Sequence, residues 1–402
     1  MSKDRCNLTR ASRDDKHDTV NRMSRWPDSA VVLQVLPSLV TGGVERGTVE
    51  IAQAIAEAGA TALVASAGGP MARQIERADG IHITLPLAAK SPFRIWRNAA
   101  ALEALIRNRA VSLIHARSRA PAWSAWLACQ RTGVPLVTTY HGTYGEGLPF
   151  KRRYNSVMAR GRMVIAASQF IADLVTMRHG VDPSRIRVIP RGVDPAVFDP
   201  AAVSGSRIAK LAAEWRLPDG VRTVVLPGRL TAWKGHAVLL DAIAHLRRSD
   251  VMGVLVGSHQ GRLRYARDLE RQAMRLGISE RLRLVGQCDD MPAALALSDV
   301  VVHASTQAEA FGRVVIEAQA MGRPVIASDL GGPVETVRHG ETGWRVPPND
   351  PEALALAIGV ALDLDPAERL ALGQRARASV PTVRAMQDAT LDVYKAVLSE
   401  AG

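Results

Sequence analysis

Two glutamates carry the strongest chemical signal in the chain: Glu309 and Glu317, the ends of the segment EAFGRVVIE at residues 309–317. A carboxylate accepts two hydroxyl hydrogen bonds, which suits the diols of a ribose or a pyranose. Gly312, between Phe311 and Arg313, permits close backbone approach to a ligand and is expected just ahead of a helix. The unpaired N–H groups and dipole of that helix N-terminus attract phosphate. Glu309 before the helix and Glu317 two turns along it then face one ligand from two levels. The bare spacing fits an exposed acid pair on an amphipathic helix equally well, so the surroundings have to decide. Gly228-Arg229-Leu230 follows a strand, and Lys234-Gly235 comes shortly after it in a loop. Arg229 offers a planar fork to two phosphate oxygens and Lys234 a mobile point charge. Together they neutralise a diphosphate without a metal; the plainer reading is a surface Arg and Lys near a turn.

The first half holds a second set of such groups. Thr41-Gly42-Gly43-Val44-Glu45 follows the opening strand and lets backbone N–H groups and a helix dipole approach a ligand. It is neither a GxGxxG dinucleotide fingerprint nor a Walker A loop. His141-Gly142 follows another strand and puts an imidazole at its carboxyl end, where a lone His is either functional or merely structural. Leu330-Gly331-Gly332-Pro333 is a further glycine turn after a strand.

The elements that must position these groups alternate. Strand signals fall at 30–36, 61–65, 112–115, 136–140 and 163–167, then at 223–227, 253–257, 283–286, 300–304 and 324–327, with helical segments between most of them. Such alternation predicts right-handed βαβ units and parallel sheets covered on both faces, that is, two doubly wound α/β halves. In such sheets ligands bind beyond the carboxyl ends of the strands, so both halves present loops to a cleft between them. The expected organisation is a disordered leader over 1–28, with Met1 or Met23 as the start, a first domain over 29–195 and a second over 196–380. A C-terminal segment, 381–402, is expected to pack back toward the first domain as a helix.

Composition narrows the classes. The net charge is +12, and it is unevenly placed: residues 29–190 carry 19 basic and 9 acidic side chains, residues 191–402 carry 25 of each. A one-sided positive field draws nucleic acid, an anionic membrane or a phosphorylated substrate; a generally Arg-rich surface is the plain alternative. No apolar run is long enough for a membrane span, and the first residues lack the apolar core of a secretory signal. Cys6, Cys129 and Cys288 form no CxxC pair, which suits a reducing compartment and argues against a zinc site. The one acidic DxD, Asp363-Leu364-Asp365, precedes Pro366 and reads as a C-terminal turn rather than a metal site.

Taken together, the GGVE loop, HG at 141–142, AASQF at 166–170, VIPRGVD at 188–194, GRL…KG at 228–235, the E-x7-E block with its AMGRPV, and GGPVE at 331–335 resemble the family-4 (group 1) retaining glycosyltransferases of the two-domain GT-B fold. The resemblance runs from about residue 30 to the C-terminus. It implies two Rossmann-like domains, an acceptor-binding first one and a donor-binding second one. It also assigns roles. Glu309 touches the transferred sugar, Glu317 holds the nucleotide ribose, and Arg229 and Lys234 bind the diphosphate with Phe311, Gly312 and Arg313 beside them. Gly42 and Gly43 approach the donor from the opposite domain, and His141 meets the sugar near the reacting carbon. Arg191 stands where the family commonly has Asn, and Arg313 where it often has an apolar residue; both add charge near the expected ligand.

The implied reaction is front-face transfer from a nucleoside-diphosphate sugar with no cofactor and no required metal. The acceptor implied is a glycan or lipid-linked glycan, as in lipopolysaccharide or other cell-surface glycan synthesis. The expected location is cytoplasmic, peripheral on the inner face of the membrane. Residues 90–97 (KSPFRIWR) and 150–162 (FKRRYNSVMARGR) mix basic and apolar side chains, and read either as a surface for anionic lipid or acceptor, or as amphipathic helices with core stripes. Two enzyme rivals share the two-domain plan: a sugar-nucleotide epimerase, against which the E-x7-E block argues, and a phosphorylase, which lacks a recognisable pyridoxal-phosphate lysine motif here. The non-enzymatic rival is a basic nucleic-acid-binding protein. No nucleic-acid motif accompanies the charge, so no specific nucleic-acid partner is expected.

Overall fold

Strands buried on both faces are apolar along their whole length, and a chain that alternates them with helices closes into parallel sheets. A computed structural model describes Trp26 and residues 30–40, 42–145, 147 and 149–400. Apart from Trp26, most of the leader expected over 1–28, with both candidate start methionines, lies outside the described residues, as do Thr41 of the first glycine turn and residues 401–402.

The first sheet comprises β1 (Val31–Val35), β2 (Thr61–Ser66), β3 (Ile81–Thr84), β4 (Leu113–Ala116), β5 (Leu136–Tyr140), β6 (Met163–Ala166) and β7 (Ile186–Val188), in the order β3-β2-β1-β4-β5-β6-β7. The second comprises β8 (Arg222–Pro227), β9 (Val251–Val256), β10 (Leu282–Gly286), β11 (Val300–His303), β12 (Val325–Ser328) and β13 (Trp344–Val346), in the order β10-β9-β8-β11-β12-β13. Every pairing is parallel. This is the two-Rossmann-domain architecture. The strand order reverses between β1 and β4 in one sheet and between β8 and β11 in the other, the points where such sheets bind ligands. The loops after β1 and β8 leave the sheets there.

Alternate residues of each strand feed opposite cores, as a period of two requires. Leu33 and Val35 join one buried cluster and Val32 the other; in the second domain Val225 and Val254 oppose Val224 and Leu255. Three strands, β3, β7 and β13, lie outside the segments expected from the sequence. β3 and β13 are short edge strands with partly exposed residues, so neither presents the continuous apolar run of a central strand. β7 is three residues long and runs directly into Pro190 and Gly192, which leaves too short an apolar run to mark it.

The chain crosses between domains twice, and the crossings touch. Val193 N–H donates to Pro381 O at 2.9 Å, and Val383 N–H donates to Val193 O at 2.9 Å. A Cβ on Gly192 would stand 2.2 Å from Thr382 O, so only glycine permits this approach. The last helix, Val383–Ser399, then packs on the first, Gly43–Glu57. Its Tyr394 is fully buried and hydrogen-bonds His115 Nδ1 at 2.6 Å, while Trp26 meets the Tyr394 ring edge-on. Glu335 of the second domain accepts from the N–H groups of Gln169 and Phe170 at 2.9 and 2.7 Å, capping the Gln169–His179 helix of the first. Ser168 Oγ donates to Ala310 O at 2.7 Å. The two domains therefore meet along specific polar contacts around the cleft.

Candidate active site

The loops at the strand ends converge on a cavity of about 410 Å³ between the domains. Gly43, Val44, His141, Gly142, Thr143 and Arg191 line it from the first domain. Arg229, Trp233, Glu309, Phe311, Gly312 and Arg313 line it from the second. Of the residues singled out from sequence, Lys234 reaches this cavity through its bond to Glu309, Glu317 lies behind it beside Arg313, and Gly42 precedes Gly43.

Local chemistry explains the second-domain wall. Gly312 adopts φ +79° and caps the Arg313–Ala320 helix; a Cβ there would come 2.8 Å from Pro333 Cγ. Glycine at this position lets the chain turn left-handed into the helix while the Gly331–Pro333 turn packs against it. Glu309 sits in the loop before it, with three donors on one oxygen. Lys234 Nζ lies 2.6 Å and His303 Nε2 2.7 Å from Oε1, and the Ser305 hydroxyl also donates to it. None of these three bonds uses Oε2. Burial alone raises a carboxyl pKa, yet the charges and hydrogen bonds of His303 and Lys234 outweigh it and hold Glu309 well below the usual carboxylate range. Glu309 is thus an oriented, ionised carboxylate.

Glu317 is tuned the other way. Burial pushes its pKa up, against the opposing pull of Arg313 and Arg46. Arg46 of the first domain stands 3.2 Å from its Oε1, and Arg313 stands 3.8 Å away while donating to Glu50 at 2.6 Å. Two ion pairs therefore cross the cleft in opposite senses, one with its Arg on the first domain and one with its Arg on the second.

The first-domain wall carries two buried cations. Arg191, only 8% exposed, donates from Nη2 to His141 Nδ1 at 2.5 Å, and Arg117, 1% exposed, donates to Gln34 Oε1 at 2.8 Å. Burial lowers both arginines, Arg191 to about 9, which leaves it charged near neutral pH. Burial also drives the His141 pKa well below its ordinary value, with Arg191, Arg117 and His115 adding to the effect. Arg191 lines the cavity with its guanidinium bonded to the histidine.

Sequence reasoning missed His303, Ser305, Glu50, Arg46 and Arg117. His303 ends β11 and Arg117 follows β4, so the strand-end rule that found His141 applies to both. Nothing local marks Arg46 or Glu50, whose partners lie more than 260 positions away. The DxD spans a junction: Asp363 caps the end of the Pro351–Leu362 helix and binds Arg248 at 2.7 Å, while Asp365 begins the Pro366–Ala378 helix with a capping box. A separate cavity of about 490 Å³, lined by Arg152, Arg153, Arg160, Arg178 and His179, contains none of the cleft residues.

Known proteins resemble this chain in sequence and fold. Residues 208–379 match the family described as Glycosyl transferases group 1, and residues 41–197 match Glycosyltransferase Family 4. A curated relative, the D-inositol 3-phosphate glycosyltransferase of Salinispora tropica, is 31% identical over 89% of this chain and 82% of its own. Among solved structures, a glycosyltransferase from Rickettsia africae is 34% identical with a TM-score of 0.85, covering 92% of this chain and 99% of its own. The Anabaena protein HepE, solved in complex with UDP and glucose, is 27% identical with a TM-score of 0.78, covering 90% and 98%.

Proposed function

Because this chain belongs to the family-4, group 1 glycosyltransferases, we propose that it transfers a sugar from a nucleoside-diphosphate donor to an acceptor hydroxyl with retention at the anomeric carbon and without a metal. The observation that carries this reading is the opposition of two walls around one cavity. Oriented Glu309, the Gly312 helix N-terminus and Arg229 stand on one side, His141 and Gly43 on the other. The acceptor oxygen attacks the anomeric carbon on the face from which the diphosphate departs. The carbon–oxygen bond to phosphate breaks, and the leaving phosphate takes the acceptor's proton. Arg229, Lys234 and the helix N-terminus stabilise the charge growing on that phosphate, electrostatic preorganisation being the dominant catalytic contribution in such sites. Glu309 meets the sugar hydroxyls through Oε2, the oxygen its three protein donors leave unused. Lys234 then exchanges part of its bond to Glu309 for the diphosphate, and Glu317 holds the ribose in place of Arg46.

The solved relative that holds UDP and glucose supports a uridine donor. Relatives named for inositol 3-phosphate, together with the excess positive charge of residues 29–190, support an anionic, phosphate-bearing acceptor. A lipid-linked glycan of cell-surface synthesis, lipopolysaccharide included, meets the same description, and one observation favours it. Phe93, Trp96 and Phe150 are exposed beside Arg94, Arg97, Arg152 and Arg153, a composition suited to an anionic membrane surface on the cytoplasmic side. No helix among the described residues is long and apolar enough to cross a membrane, so the association is peripheral. Val157 and Met158 of the same stretch are buried and belong to the core.

The test is a thermal-shift series with UDP, GDP and ADP on the wild type, Glu317→Ala and Lys234→Ala, followed by NMR of the product's anomeric configuration with and without EDTA. Stabilisation by one nucleotide that both variants weaken, with a retained configuration unaffected by EDTA, is expected. An inverted product or an EDTA-dependent reaction overturns the mechanism. Binding to anionic but not neutral liposomes at low salt is expected of the membrane surface; equal indifference to both removes it.

A further inference from the structure

Arginine has only donors, so whatever nitrogen of a histidine it bonds must be the acceptor. Arg191 Nη2 stands 2.5 Å from His141 Nδ1. The ring therefore keeps its lone pair on Nδ1, and when neutral it carries its proton on Nε2. That Nε2 is shielded from solvent and has no hydrogen-bond partner among the described residues, although His141 lines the cleft cavity. Among the described residues nothing else claims that donor.

The fold holds Arg191 in place for this. It follows β7 by three positions, beside the first inter-domain crossing, with Nη1 3.9 Å from Met386 Sδ on the last helix. On the other side it meets the Gly43–Glu57 helix at Gly47, where a Cβ would stand 3.6 Å from Arg191 Nη1 and 3.0 Å from Arg117 Nη2. A glycine there makes room for two guanidinium groups. The charged and titratable groups around His141 are Arg191, Arg117 and His115 within its own domain, and Glu309, Arg313 and Arg229 lining the same cavity.

We propose that Arg191 is a positioning residue that fixes His141 as a neutral imidazole with its proton on Nε2, so that the ring donates a hydrogen bond to the bound sugar without adding positive charge beside the reacting carbon. An imidazolium would also donate from Nε2, but its charge opposes that of an oxocarbenium-like state, whereas a neutral donor supplies the bond alone. The catalytic half of this inference rests on the sugar-transfer reading; the tautomer does not.

Histidine-selective ¹⁵N labelling of the ligand-free protein, with His141→Gln to assign the resonances, reads the tautomer directly. The expected wild-type spectrum near pH 7 shows a protonated Nε2 and an unprotonated Nδ1 that persist well below the ordinary histidine pKa of about 6.5. A proton on Nδ1, or titration of His141 near that value, overturns the proposal. In Arg191→Met the ring is expected to titrate at a higher value than in the wild type, still below the ordinary one because burial and Arg117 remain. As pH falls through that value, kcat is expected to drop by about tenfold, with the donor KM little changed, while the wild type shows no such fall. Arg191→Lys, which keeps a donor and a charge, restores the wild-type profile. Superimposable profiles for Arg191→Met and wild type refute the proposal. If Arg191→Met does not fold, the wild-type and Arg191→Lys spectra decide. A wild type that shows the expected tautomer yet transfers no sugar counts against the function and leaves the tautomer standing.

Discussion

The two walls of the cleft solve opposite electrostatic problems. The second-domain wall gathers charges of both signs and pairs them: Glu309 with Lys234 and His303, Glu317 with Arg313 and with Arg46 from across the cleft. The first-domain wall buries like charges, Arg117 and Arg191, around a histidine that burial and those charges keep neutral. A paired carboxylate is ionised and oriented at little further cost, whereas unpaired buried cations are costly and persist where something gains from their field. The difference separates a wall that holds and neutralises a ligand from one that sets the charge state of a single side chain. The sequence-wide contrast is coarser: most of the excess positive charge lies in residues 29–190, while Arg191 itself is counted in the neutral stretch 191–402.

That contrast can be broken most severely at Glu309. Glu309→Gln keeps the shape but removes the charge that Lys234 balances, and initial-rate assays are expected to show turnover lower by about 10²- to 10³-fold. A rate near wild type would mean that the carboxylate is structural. Acid tests both walls at once. Burial holds His236, directly after Lys234-Gly235, at about 4, and drives His115 and His141 down as well. The unfolded chain binds these protons near about pH 6.5 and the folded chain only lower, so stability is full above that pH and declines as pH falls toward about 4. For His236 alone the loss approaches about 3 kcal/mol, readable by urea denaturation at the two ends of that window. His236→Phe is expected to flatten the decline; an unchanged slope would assign it to other groups.

Smaller effects sharpen the comparison. Glu317→Ala is expected to raise the donor KM by roughly 10- to 100-fold with a smaller change in kcat, the signature of a lost bond made equally in ground and transition states. A kcat-only effect would move Glu317 from the ribose to the reacting centre. Arg46→Ala should matter least. Its side chain is 50% exposed in the Glu317 pair, so thermal unfolding is expected to change by less than about 1 kcal/mol. A larger loss would identify this pair as a structural tie between the domains rather than a contact that the donor replaces.

Central strands were legible because burial on both faces demands uninterrupted apolar residues: 136–140 was read as β5 with both ends correct, and 30–36 brackets β1. The edge strands β3 and β13 were not, since one open side relaxes that demand. The glycine turns and the groups at strand ends were legible for a related reason. A parallel sheet has to deliver its loops to one edge, so His141, Arg229 and Glu309 share a cleft once the alternation is recognised. Local chemistry therefore lets the sequence by itself determine the two-domain α/β plan and which loops meet.

Only the tertiary structure decided what each group became. Glu309 and His303 are six positions apart, yet the bond between them depends on how β11 ends. Arg46 reaches Glu317 across 271 positions, and Arg191 reaches His141 across 50. Charge state and tautomer depend on distance and desolvation, and neither is a property of residue type or spacing. They are fixed by packing within each domain and, for Glu317 and Glu50, by the ion pairs that cross the cleft.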